Sequence, residues 1–182
     1  MFLCLCYRRT FLAFISLFFL FILGIVVRGF LRVKPPLPAV FFHRLVLEEQ
    51  GLSFELPVST DIIGEGEYLS EEVLFHLAFQ DPVLKFQGVL EKWHLFDLEQ
   101  FLQHSKDNTD LVLSEYRRRE TGRFVELFYR QEGKKDTYIG REFFLSAGEG
   151  LYYRWAFFLS AGVYRPTHER VFYRIIDSFR FS

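Results

Sequence analysis

The chain has 182 residues, half of them hydrophobic, with 24 Phe and a formal net charge of −1. After an N-terminal apolar segment, about 140 residues remain, enough for one ordinary domain with a real core. The charge is graded: residues 1–39 carry five basic and no acidic side chains, residues 40–106 four and twelve, residues 107–182 thirteen and eleven. No net basic field survives in the later part, so nucleic acid is excluded as a partner.

Residues 1–10 form a short basic tail with Arg8 and Arg9 and both cysteines, Cys4 and Cys6. Two cysteines at that spacing, without His or Cys partners, imply neither a metal nor a lipid anchor, and the rest of the chain needs no disulfide. Phe11 to Val27 is an uncharged run of 17 residues, apolar but for Ser16. As a helix it spans roughly 26 Å, a little short of a bilayer core of about 30 Å. Snorkelling Arg9 and Arg28 make up the difference. The expectation is a retained transmembrane signal-anchor over 11–31. A cleaved signal peptide competes, but Leu37-Pro38-Ala39 is a poor cleavage site. Charge counting alone leans slightly toward an outside N-terminus, whereas the short tail with paired Arg suits an exported C-terminal part.

Residues 32–50 read as a linker and membrane-proximal segment. Lys34-Pro35-Pro36-Leu37-Pro38 favours a stiff polyproline II spacer. Phe41, Phe42, Leu45 and Val46 share one helical face, so a short helix is expected there. From Gly51 to Ser182 the pattern is that of an α+β domain. Leu52 to Pro57 is a short strand, and Ile62 to Ser70, with Gly64 and Gly66 among acids, reads as loop. Val73 to Phe79 alternates cleanly, with His76 on the minor face. Leu84 to Trp93 is a further strand, bulged or closely approached at Gly88.

Asp97 is placed to cap a helix whose Leu98, Phe101 and Leu102 form an apolar stripe. Four strands follow, Leu111–Arg118, Arg123–Arg130, Thr137–Leu145 and Leu151–Leu159. Their short Gly-containing connections predict an antiparallel meander. Along the last of them, Tyr153, Trp155, Phe157 and Leu159 face one way, and Tyr152, Arg154 and Phe158 face the wetter side. A final helix begins at Arg165-Pro166-Thr167, with Thr167 as N-cap, and carries Val171, Phe172, Ile175, Ile176 and Phe179 on one face. The architecture is one antiparallel sheet with helices packed on it, and the aromatic excess is assigned to packing.

The opening Gly51-Leu52-Ser53-Phe54-Glu55-Leu56-Pro57 and the closing Ile175-Ile176-Asp177-Ser178-Phe179-Arg180-Phe181 resemble motifs of the PsbP-like fold family. That family includes photosystem PsbP, the Ran-binding Mog proteins and the periplasmic DcrB lipoproteins. Gly88 to Trp93 followed by Asp97-Leu98-Glu99-Gln100-Phe101-Leu102-Gln103-His104-Ser105-Lys106 is closer still to membrane-anchored PsbP-related proteins of Gram-positive anaerobic bacteria. The resemblance covers residues 51–181. It implies the fold and an extracytoplasmic location, and transfers no site residue, because one fold hosts many roles.

Chemistry-bearing residues are scattered. No two of the five histidines stand three or four apart, so no local zinc pair is encoded; His76 and His94 are the pair that neighbouring strands bring nearest. Asp61, Glu65 and Glu67, with Glu71 and Glu72, are the candidate cation ligands, though without EF-hand spacing. Arg117, Arg118, Arg119 and Arg123 make the densest basic patch, on a strand whose alternation separates them and whose charge guards an edge. No nucleophile elbow, P-loop or dinucleotide fingerprint occurs, so no enzyme activity and no cofactor are expected. The expectation is a single-pass cell-membrane protein, held by residues 11–31 with its soluble domain outside the cytoplasm. It would act as a non-catalytic interaction or accessory subunit of an envelope complex through Tyr152, Arg154 and Phe158. The alternative is binding of a small ligand or metal ion, in a cleft between sheet and helix, for a transporter or sensor.

Overall fold

The computed structural model describes residues 39–66, 72–107, 112–133 and 135–181. The tail, the expected 11–31 anchor, the proline spacer, Glu67 and Glu71 lie outside the described residues. Among the described residues, no helix is long and apolar enough to cross a membrane.

Among the described residues, ten strands and two α-helices follow in order: β1 (Phe42–Leu47), a 3-10 turn (Glu48–Gln50), β2 (Leu52–Pro57), β3 (Asp61–Gly66), β4 (Val73–Asp81), β5 (Phe86–His94), α1 (Leu98–Asp107), β6 (Val112–Glu120), β7 (Val125–Glu132), β8 (Thr137–Gly148), β9 (Leu151–Ser160), α2 (Pro166–Ser178) and β10 (Arg180–Phe181). They build two antiparallel sheets, a seven-stranded one in the order β3-β4-β5-β9-β8-β7-β6 and a three-stranded one in the order β1-β2-β10. The meander over β6 to β9 is present in the expected order. Its β8–β9 reversal holds Gly148, Glu149 and Gly150 at φ of 88°, 48° and 76°, left-handed values that glycine adopts at no steric cost.

Three local expectations are corrected. Residues 42–47 are a strand, not a helix: Phe42 to Leu47 pairs with Pro57 to Leu52 over six positions. A one-and-a-half-turn helix has too few internal bonds to compete with that saturated ladder. Asp61–Gly66 is a strand, not loop; it runs along β4, and a register shift between Ile62 and Gly64 absorbs the glycine. The N-cap of α2 is Arg165, in extended conformation, with Pro166 at the first helical position. Thr167 is buried inside the first turn. His168 completes the cap, its Nδ1 accepting the Arg165 N–H at 2.9 Å while its Nε2–H donates to the Leu84 carbonyl at 2.8 Å.

The seven-stranded sheet has two different faces because strand side chains alternate. One carries Phe75, Leu77, Phe79, Leu90, Ile139, Phe143, Trp155 and Phe157 against Phe54 of β2 and Val171, Phe172, Ile175 and Ile176 of α2. The Phe excess packs here: Phe54 meets Trp155 edge-on at 4.9 Å, and Phe157 stacks on Phe172 at 4.2 Å. Gly88 is required by this packing, since a Cβ there would run into the Phe79 ring. The other face is thinner. α1 covers part of it, with Leu102 on Leu127 and Phe144, and Leu98, Phe101 and Tyr116 around them. Asp97 caps α1 as expected, accepting the Glu99 and Gln100 amides at 2.8 and 3.1 Å.

Candidate functional site

The thinner face is where charge gathers. Its polar side chains come from alternate positions of five neighbouring strands: His76 (β4), Glu91 and Trp93 (β5), Arg154 (β9), Glu142 (β8) and Tyr129 (β7). Register places Glu91 opposite Arg154. Arg154 donates from Nη1 to Glu91 Oε2 and from Nε to Glu142 Oε2, both at 2.7 Å. Glu91 also receives Trp93 Nε1–H at 2.9 Å and meets His76 Nδ1 at 3.2 Å. Glu142 receives the Tyr129 hydroxyl at 2.7 Å. The Tyr129 ring lies over Gly140, where any Cβ would collide with it; that glycine lets the ring settle low enough to reach Glu142.

Burial by itself would raise the Glu91 carboxyl, but Arg154, Trp93 and His76 outweigh it and hold it below its ordinary value. Burial, then the Glu142 charge, pushes the Tyr129 phenol far above the ordinary range. Arg154 is pushed further into its charged form: burial opposes the charge, and Glu142 and Glu91 overcome that opposition. Near neutral pH Glu91 is therefore ionised and the Tyr129 phenol neutral.

Between this ladder and α1 lies a cleft of about 370 Å³. Trp93, Phe101, Leu102, Leu113, Leu127 and Phe144 form its apolar walls, and Arg154, Glu142, Tyr129, Tyr116, Ser105 and Lys106 supply its polar groups. Nε and Nη1 of Arg154 are engaged, which leaves Nη2 as the donor available at the floor. Lys106 sits over the Tyr116 ring at the rim, 5.1 Å from its centroid. Arg118 of β6 holds α1 in place by gripping Glu99 with both terminal nitrogens, and it also meets Glu120.

The residues singled out from sequence fare unequally. Tyr152, Arg154 and Phe158 do share one face, but Arg154 alone lines the cleft; Phe158 lines a separate hollow with Pro82 and Tyr138. The arginines are divided. Arg117 pairs with Glu115 at 2.9 Å and stacks over Phe128, Arg118 holds α1, and Arg119 lies exposed on β6. Arg123 caps the end of α2, donating to the Ile176 and Phe179 carbonyls at 3.0 and 3.3 Å and meeting Asp177 at 3.2 Å. Asp61 and Glu65 lie exposed along β3. His76 does not meet His94, because register sets His76 against Glu91 and puts His94 at the far end of β5 opposite Leu151. Among the described residues, no group of three or more His, Cys, Asp or Glu is placed to hold a metal ion.

Sequence reading passed over Glu91, Glu142, Tyr129 and Trp93. A cue existed in Arg141-Glu142, two adjacent charges inside a strand that is otherwise apolar. Alternation sends them to opposite faces: Glu142 joins the ladder, while Arg141 bonds Glu126, Glu169 and the Tyr173 hydroxyl under α2.

No protein-family model matches the chain, and no curated protein sequence is detectably similar to it. Among solved structures, the Ran-binding protein Mog1p of Saccharomyces cerevisiae is similar with a TM-score of 0.55 at 7% identity, over 79% of this chain and 96% of Mog1p. The cyanobacterial PsbP of Synechocystis gives a TM-score of 0.49 at 10% identity, over 82% of this chain and 97% of that one. A Bacteroides thetaiotaomicron protein gives 0.49 at 11% identity, over 76% of this chain and 48% of that one. The likeness to Mog1p, at such low identity, is one of fold alone: a mostly β-sheet domain with two helices, of the Mog1p kind.

Proposed function

We propose that this protein is a membrane-held, non-catalytic binding module that takes a small amphipathic ligand in the cleft under α1, and serves as an accessory subunit of an envelope transporter, sensor or complex. The observation that carries the reading is the cleft itself. Its volume of about 370 Å³ lies in the range of small-molecule sites, and apolar walls with a few convergent polar groups are their usual lining. The free Nη2 of Arg154 and the rim Lys106 favour a carbonyl or carboxylate on an aromatic or apolar body. Both carboxylates of the ladder are already bonded, Glu91 to three side chains and Glu142, which lines the cleft, to two, so neither stands ready as a general base. The membrane part rests on the apolar run from Phe11 to Val27 and its basic flanks. The extracytoplasmic placement and kinship with membrane-anchored Gram-positive relatives rest on the sequence resemblance.

Titration calorimetry of the intact chain in lipid nanodiscs with naphthoate, an aromatic carboxylate, against empty nanodiscs tests the cleft. Saturable heat is expected, and Ser105→Trp, which puts an indole across the mouth, abolishes it without lowering the melting temperature. No saturable heat, or heat that Ser105→Trp leaves unchanged, overturns the reading.

A further inference from the structure

We propose that the end of the domain bearing Phe41, Val58 and Val83 seats on the lipid bilayer, at the boundary between headgroups and acyl chains; this rests on the membrane-anchor reading above. These side chains are 71%, 60% and 71% exposed, yet they are not scattered. They come from the segment entering β1, the β2–β3 turn and the β4–β5 turn, and hydrogen bonds fix the three together. The Val58 N–H donates to the Phe41 carbonyl at 3.0 Å. Asp81, only 1% exposed, ties the two turns: it accepts the Ser59 and Thr60 hydroxyls at 2.7 and 3.3 Å and the Val83 and Leu84 amides at 2.9 and 2.6 Å. A carboxylate engaged by four donors projects little charge outward. The apolar side chains therefore stand on a rigid platform, which is the pattern of an interaction surface rather than of incidental exposure.

The surroundings suit a headgroup layer. Lys85 follows Val83 two residues on, and Pro82, Lys85 and Tyr138 line one shallow hollow. Lysine and tyrosine both present an apolar stem and a polar tip, the composition found at membrane–water boundaries.

Chain length selects lipid as the occupant. Twelve residues, 28–39, separate the end of the apolar run at Val27 from Val40. Fully extended they reach about 40 Å, and they enter the domain beside Phe41. The chain enters the domain at this end, so a bilayer-held N-terminus brings this end to lipid with the shortest extension of the tether, on whichever side of the membrane the domain lies. At the other end of β5, roughly 30 Å away, Phe96 is 97% exposed; it is apolar, accessible and off the platform.

The test uses the full chain with Cys4→Ser and Cys6→Ser, reconstituted into vesicles of phosphatidylcholine and phosphatidylglycerol. Nitroxide labels are placed singly at Val58→Cys, Val83→Cys and Phe96→Cys, and their accessibility to oxygen, which concentrates in lipid, is compared with that to a water-soluble nickel chelate. Labels at 58 and 83 are expected to show several-fold higher oxygen-to-nickel ratios than the label at 96. Equal ratios in a chain that floats with the vesicles overturn this surface and leave the anchor standing. A chain that does not float overturns both. Val83→Trp reports the same contact without labelling: brominated acyl chains are expected to quench its fluorescence, and unquenched fluorescence refutes the proposal.

Discussion

Replacing Arg154 with Met keeps the reach of the side chain and removes its charge. The side chains of Arg154, Glu91 and Glu142 are 19%, 12% and 10% exposed, so the change leaves two carboxylates facing each other with little water. Breaking a buried ion pair in this way costs about 3–5 kcal/mol. Because the adjoining cleft admits some solvent, the lower end, about 3 kcal/mol, is expected. For a domain of this size that corresponds to a melting temperature lower by roughly 10 °C. The pH dependence carries the sharper signature. In the native protein Glu91 is held below its ordinary value; its contribution to stability is present above the unfolded pKa, about 4.3, and is lost as pH falls through the folded one. Without Arg154, burial raises Glu91 instead, so the penalty is largest at neutral pH and shrinks on acidification as the carboxyl takes up a proton. Urea unfolding of both proteins in detergent, followed by tryptophan fluorescence, measures this at about pH 7.5 and about pH 5. A loss under about 1 kcal/mol at the higher pH, or an equal loss at both, refutes the electrostatic account of the ladder.

Gly88→Ala drives a methyl group into the Phe79 ring, which is fully buried and cannot swing away; a loss of about 1–3 kcal/mol is expected. Thermal unfolding measures it, and a neutral result means the strand shifts to make room. Ser178→Ala removes the hydroxyl that accepts the Glu55 N–H at 2.8 Å and donates to the Ile175 carbonyl at 2.8 Å. A cost of about 1–2 kcal/mol is expected, together with faster hydrogen exchange at the Glu55 amide; unchanged exchange there contradicts the link between α2 and β2.

Much of the fold was legible because its signals are local. Alternation along Val73–Phe79 and Leu151–Leu159, the Asp97 cap, and glycines at the β8–β9 reversal each act within a few residues. Where reading failed, a long-range partner decided. Phe42–Leu47 is compatible with a helix until β2 offers it a ladder, and Asp61–Gly66 reads as loop until β4 supplies an edge. Thr167 looks like a cap until Pro166 fixes the helix start two residues earlier and His168 takes over the capping bond. The site was less legible still. Arg154 was placed on the correct face, but Glu91, Glu142 and Tyr129 come from strands up to 63 positions away from it, and no spacing rule links residues that meet only through sheet order.

By itself, the sequence determined an apolar N-terminal run, an α+β domain behind it, and which side chains of each strand share a face, because periodicity and hydropathy are properties of neighbouring residues. The tertiary structure alone decided that β5, β9, β8 and β7 lie side by side, so that charges unremarkable along the chain close into a ladder under α1. It also brought Phe41, Val58 and Val83 to one rigid end around Asp81. Both depend on which strands pair, and pairing is settled by the packing of the whole core.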